Sequence, residues 1–387
     1  MKQCLILGLM ALAISACNDS AGPTTSLRAD LVTSPLPSYQ MIDLETLGGF
    51  YSGVSGINNR GQVAGTSTTA DGFAHGYVWE QGAMQDLGTL GGTLTYVAGI
   101  NDAGQLTGES FAPDGNSHGF LWEGGVMTDL GTLGGWSSTP TAINASGQVT
   151  GQSVTPEGLI HTFLWENGTM LDIGTLGGTR AFPADINEAG QIVGTSETST
   201  GVYHAFRWQQ GEMLDIGASL GDLVTLAVAV NENGQVILST PTAETDVQRS
   251  FLWDDRGVRE ILPVPGYARV DAVALNDQGQ VVGIARNTGL PDLGFLWQDG
   301  VTTLLGPRVM PRAISNLGEI VGSHQQTGDQ RAFIWRNGVL SDIHPADPAY
   351  TNSVALAINA NGWITGYVSI GMPTHGFLWI PQGAAVP

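Results

Sequence analysis

Of 387 residues, 55 are Gly, 13 % are charged and 42 % are apolar, so the chain is rich in turns yet able to form a core, which excludes disorder. Fourteen Lys and Arg stand against 35 acids, a formal charge of −21. A chain this acidic repels phosphate backbones, and nucleic acid is excluded as a partner.

The N-terminus reads as an export signal over residues 1–16: Lys2, an apolar run from Cys4 to Ala13, then Ile14-Ser15-Ala16. The run is too short to span a membrane. Ile14-Ser15-Ala16-Cys17 resembles the lipobox of bacterial lipoproteins, which implies that Cys17 becomes the lipidated first residue and ties the chain to a membrane. Cysteine arithmetic agrees, because Cys4 leaves with the signal and Cys17 then has no disulfide partner. Residues 17–38, rich in Ser, Thr, Pro and Ala, are expected to be the lipidated Cys and a flexible linker. Asn18 stands where Asp would resemble an inner-membrane retention signal, so the expected location is the outer membrane or the cell surface.

From residue 39 the chain is periodic, and the period decides the fold. Trp recurs at Trp79, Trp122, Trp165, Trp208, Trp253, Trp297, Trp335 and Trp379, at intervals of 38–45 residues. Each repeat holds four short strand segments. Strand A ends in an Asn-x-x-Gly-Gln type turn such as Asn101-Asp102-Ala103-Gly104-Gln105, and strand B follows it. Strand C is the aromatic segment, as in Gly119-Phe120-Leu121-Trp122, and strand D is the Met127-Thr128-Asp129-Leu130 type. A–B and C–D are tight Gly-bearing hairpins, whereas B–C is a loop of roughly seven residues. Four antiparallel strands per repeat is the sequence form of a propeller blade. The prediction is an all-β chain: a single eight-bladed β-propeller of four-stranded antiparallel blades over residues 39–383, with a short tail at 384–387.

The order of strands is permuted. The body starts with a D segment, Met41-Ile42-Asp43-Leu44, and ends with a C segment, Gly376-Phe377-Leu378-Trp379. The N-terminal strand is therefore expected to complete the last blade and remove both free edges. Each Trp and the Phe or Tyr two residues before it share one face of strand C. They are expected to form the core, at about 1.5–3 kcal/mol for each side chain buried.

The chain resembles the extracellular HAF-repeat family, named for a His-Ala-Phe motif. His204-Ala205-Phe206 matches in full. His75-Gly76-Tyr77, His118-Gly119-Phe120, His161-Thr162-Phe163 and His375-Gly376-Phe377 match in part, and the recurring Asp-Leu-Gly-Thr-Leu-Gly-Gly string adds to the likeness. Repeats five to seven depart, with Arg249, Leu293 and Arg331 at the His position. The resemblance implies an exported repeat protein and brings no activity or catalytic residue with it.

Five His at one strand position suggest a metal ring, but the repeats argue for salt bridges. Seven residues after each Trp, strand D carries an acid, which pairs His75 with Asp86, His118 with Asp129, His161 with Asp172 and His204 with Asp215. Arg249 then pairs with Glu260, Arg331 with Asp342, and His375 with Asp43 across the closure. Where the base becomes Leu293, the acid becomes Leu304. This co-variation inside one chain predicts a buried structural contact beside the aromatic core. A two-residue turn would set the pair members directly opposite each other, and a Gly bulge would shift them by one.

No Gly-x-Ser-x-Gly, His-Glu-x-x-His, phosphate-binding loop or Cys-x-x-Cys occurs. No cofactor is expected; Ca²⁺ at the Asn101-Asp102 and Asn276-Asp277 turns is the alternative, without full calcium-loop spacing. The leading functional expectation is a non-catalytic, monomeric binding or scaffolding module for a protein or an acidic glycan. Two alternatives stand beside it: a polysaccharide hydrolase or lyase in the central funnel, and an envelope-assembly scaffold. The connections from D to A keep Leu-Gly through repeat five and lose it afterwards, as in Gly306-Pro307-Arg308 and His344-Pro345-Ala346. Arg269, Arg308, Arg312, His324 and His344 fall in this divergent sector, with Arg286, and predict a positive patch for an anionic ligand.

Overall fold

The computed structural model describes residues 38–221, 223–241, 248–262, 264–326, 328–369 and 374–383. The export segment, Cys17, the linker up to residue 37 and the tail 384–387 lie outside the described residues. Apart from one 3₁₀ turn at Gly217–Leu220, every regular element among those residues is a β-strand.

The first repeat sets the pattern. Strand A is Gly48–Ile57, B is Val63–Thr69, C is Ala74–Glu80 and D is Ala83–Asp86. They pair antiparallel in that order, with Val63 opposite Trp79 and Trp79 opposite Met84. The B–C connection is shorter than the sequence suggested: strands B and C extend to Thr69 and Ala74, leaving residues 70–73 between them. Backbone pairing yields four sheets of one such unit and two eight-stranded sheets, each made of two units joined by a single parallel bridge. Those bridges are Ile160–Arg180 and Tyr51–Thr374.

Strand Tyr39–Asp43 pairs with Thr374–Pro381, setting Met41 opposite Trp379 and Asp43 opposite Phe377. The first strand of the body thus lies on the last, as its D-type sequence required. The A strands pack against one another in chain order, and Asn352–Ile358 packs back on Gly48–Ile57.

The aromatic series is the core: Tyr77, Phe120, Phe163, Phe206, Phe333 and Phe377 have no exposed area. The rings of Tyr77, Phe163 and Phe206 lie across the glycines opposite them on strand B, Gly65, Gly151 and Gly194. A Cβ on Gly151 would stand 2.6 Å from the Phe163 ring, which no side chain tolerates. That explains the Gly in the strand B motif, where a β-branched residue would otherwise be preferred. Unit five alone places a larger residue there, Leu238 opposite Phe251.

The A–B turns do more than reverse the chain. Asn58 donates Nδ2–H to Gln62 Oε1 at 2.7 Å within its own turn and to the Asn101 carbonyl of the next unit at 3.0 Å. Asn101, Asn144, Asn187 and Asn231 repeat the bond to the following unit at 2.9–3.1 Å, and Asn276 reaches Ser315 O. Asn359 closes the series on Asn58 O at 3.0 Å. Ser315 has no amide to donate. There Glu319 replaces Gln and takes the Arg336 guanidinium instead, next to Tyr39, whose hydroxyl is pushed up to about 12 chiefly by burial.

Deleting residues 39–44 should destabilise the whole body. It exposes the edge of Thr374–Pro381 and removes buried Leu44 and the partly buried Met41 and Ile42 from the core, up to about 1.5–3 kcal/mol for each fully buried side chain. Urea unfolding would show a lower midpoint; a truncated chain that unfolds like the parent would contradict the pairing.

Candidate functional site

Strand C presents its bases just before the aromatic residues, and strand D presents its acids at the turn into the next unit. The structure brings every predicted base–acid pair together. His75, His118, His161 and His204 place Nδ1 at 2.8–2.9 Å from Asp86, Asp129, Asp172 and Asp215, and His375 lies 3.1 Å from Asp43. Arg249 meets Glu260 with two hydrogen bonds of 2.7 Å, and Arg331 meets Asp342 at 3.1 Å. Leu293 and Leu304 pack in one apolar cluster.

Two details differ from expectation. The two-residue C–D turn sets Asp86 opposite Tyr77, so His75 reaches it diagonally along the same face rather than directly across. The acids are also not buried: the side chains of Asp86, Asp129, Asp172 and Asp215 are 30–45 % exposed. Each carboxylate has a second duty in capping the D–A turn, as when Asp86 Oδ1 accepts from Gly88 N at 2.8 Å and Asp172 Oδ1 from Gly174 N at 2.8 Å. The pair therefore links strand C to the connection that leads into the next unit.

Directly opposite His75, His118, His161 and His204 on strand B stand Ser67, Ser110, Ser153 and Ser196. Ser, His and Asp thus gather four times, with the composition of a hydrolytic triad. Their geometry is not one. Ser67 Oγ has no exposed area, accepts from Leu47 N at 2.9 Å and donates to Tyr51 O at 3.0 Å, so it pins the D–A connection.

The divergent sector is less basic than its sequence. Arg269 and Arg286 both bind Asp271 at 3.0 Å, and Arg286 also approaches Asp292 at 3.3 Å. His324 lies 3.7 Å from Asp342 under Phe333, and His344 bonds Ser353 Oγ at 2.8 Å. Burial holds the His344 imidazole below its ordinary range. Arg308 and Arg312 differ: both are exposed, with no ion pair among the described residues. Arg308 is the single residue between strands Val301–Pro307 and Val309–Ile314 and takes a left-handed φ of 58°, so the connection into unit seven is as short as its sequence implied.

Sequence reasoning missed three features. The first is a set of exposed aromatics on the D–A and B–C side of units one to three: Phe50 and Trp136, 69 % and 63 % exposed, with Tyr51, Phe73 and Tyr96. Phe50 and Trp136 directly follow Leu-Gly-Gly, a position visible in the repeats. The second is the use of the turn acids. Asp102, Glu188, Glu232 and Asp277 accept from the backbone N–H of the preceding unit's turn at 2.8–3.0 Å, so these carboxylates are engaged in joining units. Among the described residues no group of three or more His, Cys, Asp or Glu is placed to hold a metal ion. The third is Asp185, at a strand A position where the other units carry Gly or Ala. It accepts from Ile186 N at 2.9 Å and from Val230 N of unit five at 3.1 Å.

Among solved structures, the chain is similar to the β-propeller domain of the Trilobed protease from Pyrococcus furiosus, at 12 % identity and TM-score 0.51, over 77 % of this chain and 100 % of that one. It is also similar to a prolyl endopeptidase, at 13 % identity and TM-score 0.55, over 84 % of this chain and 55 % of that one. No family model matches the sequence, and no curated protein matches it. At these identities the likeness concerns the fold alone. The fold is that of a β-propeller.

His161→Ala should cost less than about 1 kcal/mol, the range for an exposed pair. Asp172→Ala should cost more, because it also frees Gly174 N–H; chemical denaturation of both variants would check the order. Burial raises the Asp185 carboxyl from 3.8 to about 6. The folded state therefore holds this proton more tightly, and the stability it lends is present in acid and lost as pH rises through 6. Relative to Asp185→Asn, the parent should lose stability between pH 4 and 7; identical pH profiles would contradict this.

Proposed function

We propose that the chain is an exported, lipid-anchored, eight-bladed β-propeller acting as a monomeric binding or scaffolding module at the cell surface. The lipobox-like Ile14-Ser15-Ala16-Cys17 and the HAF-type motifs support export and anchoring. The pairing of Tyr39–Asp43 with Thr374–Pro381, and the bond from Asn359 to Asn58 O, support the eight-bladed closed ring. Closure leaves two faces with different freedoms. On the face of the A–B turns, amides and carboxylates are spent on joining neighbouring blades. On the face of the D–A and B–C connections, Phe50, Trp136 and Arg308 are exposed and differ from blade to blade, and Arg312 is exposed on the A strand that Arg308 leads into.

That contrast carries the proposal. Residues that escape the repeat and face solvent have no part in the blade, and such surface is where recognition resides. Binding is favoured over hydrolysis because the serines beside the His–Asp pairs are buried and bonded to backbone. The test is a pull-down and glycan-array screen with the chain from residue 17 carrying Cys17→Ser, beside fractionation of the lipidated parent. A retained ligand, and loss of the membrane fraction only in the variant, are expected. Shortening of a polysaccharide on incubation would overturn the reading in favour of an enzyme.

A further inference from the structure

The exposed residues of the D–A face are not of one kind. In blades one to three they are aromatic: Phe50 and Tyr51 enter the first A strand, Tyr96 stands on the second and Trp136 leads into the third. All four belong to the innermost strands or the connections that feed them. Phe50 and Trp136 are open to solvent and Tyr51 and Tyr96 are in part, and an exposed aromatic ring offers a flat apolar surface with a polarised π-system.

Cations flank this shelf. Arg180 lies on the A strand of blade four, and Arg308 and Arg312 lie at and on the A strand of blade seven. All three are exposed, and none has a carboxylate within ion-pair distance among the described residues. The other A-strand arginine, Arg269, is neutralised by Asp271. In a chain of net charge −21, Arg308 and Arg312, with Arg180 in electrostatic reach of the Glu197 carboxylate, form a local site for negative charge. Neighbouring A strands are in contact around the ring, so an oligomer of a few units can touch both the shelf and an arginine.

From this juxtaposition we infer that the D–A mouth of the ring binds an acidic oligosaccharide, a chain of uronic acid sugars. The sugar rings stack on Trp136, Tyr96 and Tyr51, and the carboxylates pair with Arg180, Arg308 and Arg312. A nucleic acid strand also combines rings with anionic groups, but its dense, continuous phosphates are repelled by the chain as a whole. A uronic chain has wider charge spacing and apolar sugar faces between its carboxylates, which suits alternating aromatic and guanidinium groups. This inference rests on the binding-module reading and names its ligand class and residues.

The test uses the chain from residue 17 with Cys17→Ser and a panel of galacturonate, mannuronate, guluronate and glucuronate oligosaccharides, beside neutral oligosaccharides of equal length. Trp136 is the single strongly exposed Trp among the described residues, so its fluorescence and its quenching by acrylamide report the shelf directly. At least one uronate should shield Trp136, and its affinity should fall with added salt. Trp136→Ala, and Arg308→Ala with Arg312→Ala, should each weaken binding by about tenfold or more. Leu317→Ala, an exposed residue of an A–B turn on the opposite face, should leave it unchanged. Circular dichroism of each variant separates loss of binding from loss of fold. No binding by any uronate, equal binding of neutral sugars, or undiminished affinity in the variants would overturn the inference. Capture of a protein ligand in the absence of uronate binding would overturn it as well, while sparing the binding-module reading.

Discussion

One side-chain amide holds the architecture together. Asn58 makes four hydrogen bonds: its Oδ1 accepts from Arg60 N and Gln62 N, and its Nδ2 donates to Gln62 Oε1 and to the Asn101 carbonyl of the next unit. The residue is buried, so every unmade bond would cost the desolvation of that group, about 1–3 kcal/mol. Asp lacks the donors and Ser lacks the second arm, which is why the turn calls for Asn. The same amide that shapes the hairpin also measures the distance to the neighbouring unit. Turn and ring are thereby set by one residue per repeat, and the short carboxylate bonds of Asp102, Glu188, Glu232 and Asp277 add a second rail outside it.

The joint between units seven and eight departs from this rule in a self-consistent way. Ser315 cannot donate across, Glu319 replaces the amide acceptor, and Arg336 replaces the acidic or amide residue that follows the strand C Trp in units one to six. Three substitutions preserve local hydrogen bonding while removing the amide bond to the next unit. Tyr39, from the closing strand, sits at this joint with its hydroxyl 3.5 Å from Gly362 O. The place where the first and last strands of the body pair is therefore adjacent to the place where the amide rail is interrupted.

Much of this was legible because the relevant contacts are local in sequence. Strand identity, the A–D order, the D-type character of Met41–Leu44 and the base–acid pairs follow from spacings within one repeat. Co-variation of Leu293 with Leu304 located a contact without an alignment, since the repeats serve as one another's homologues. Contacts between repeats were not legible: a hydrogen bond from Asn58 to Asn101 leaves no mark on composition, because both residues are already explained by their turns. The exposure of the acids is not legible, since a position next to a core aromatic can still face solvent at a strand end. The neutralisation of Arg269 is local in sequence: Arg269 and Asp271 are two residues apart on a strand and so share a face. Phe50 and Trp136 lie outside the strand C aromatic series, at a position after Leu-Gly-Gly that units two and four fill with Thr93 and Thr179, so the repeats mark the place but not its exposure.

The account makes the body one cooperative ring rather than a stack of units with free ends, and hydrogen exchange read by mass spectrometry distinguishes the two. In a ring joined at Asn359 and sealed by Tyr39–Asp43, the amides of the first, middle and last units should exchange together, through one global opening. Exchange that begins in Tyr39–Asp43 and Thr374–Pro381 and advances inward unit by unit, as in an open solenoid, would contradict it.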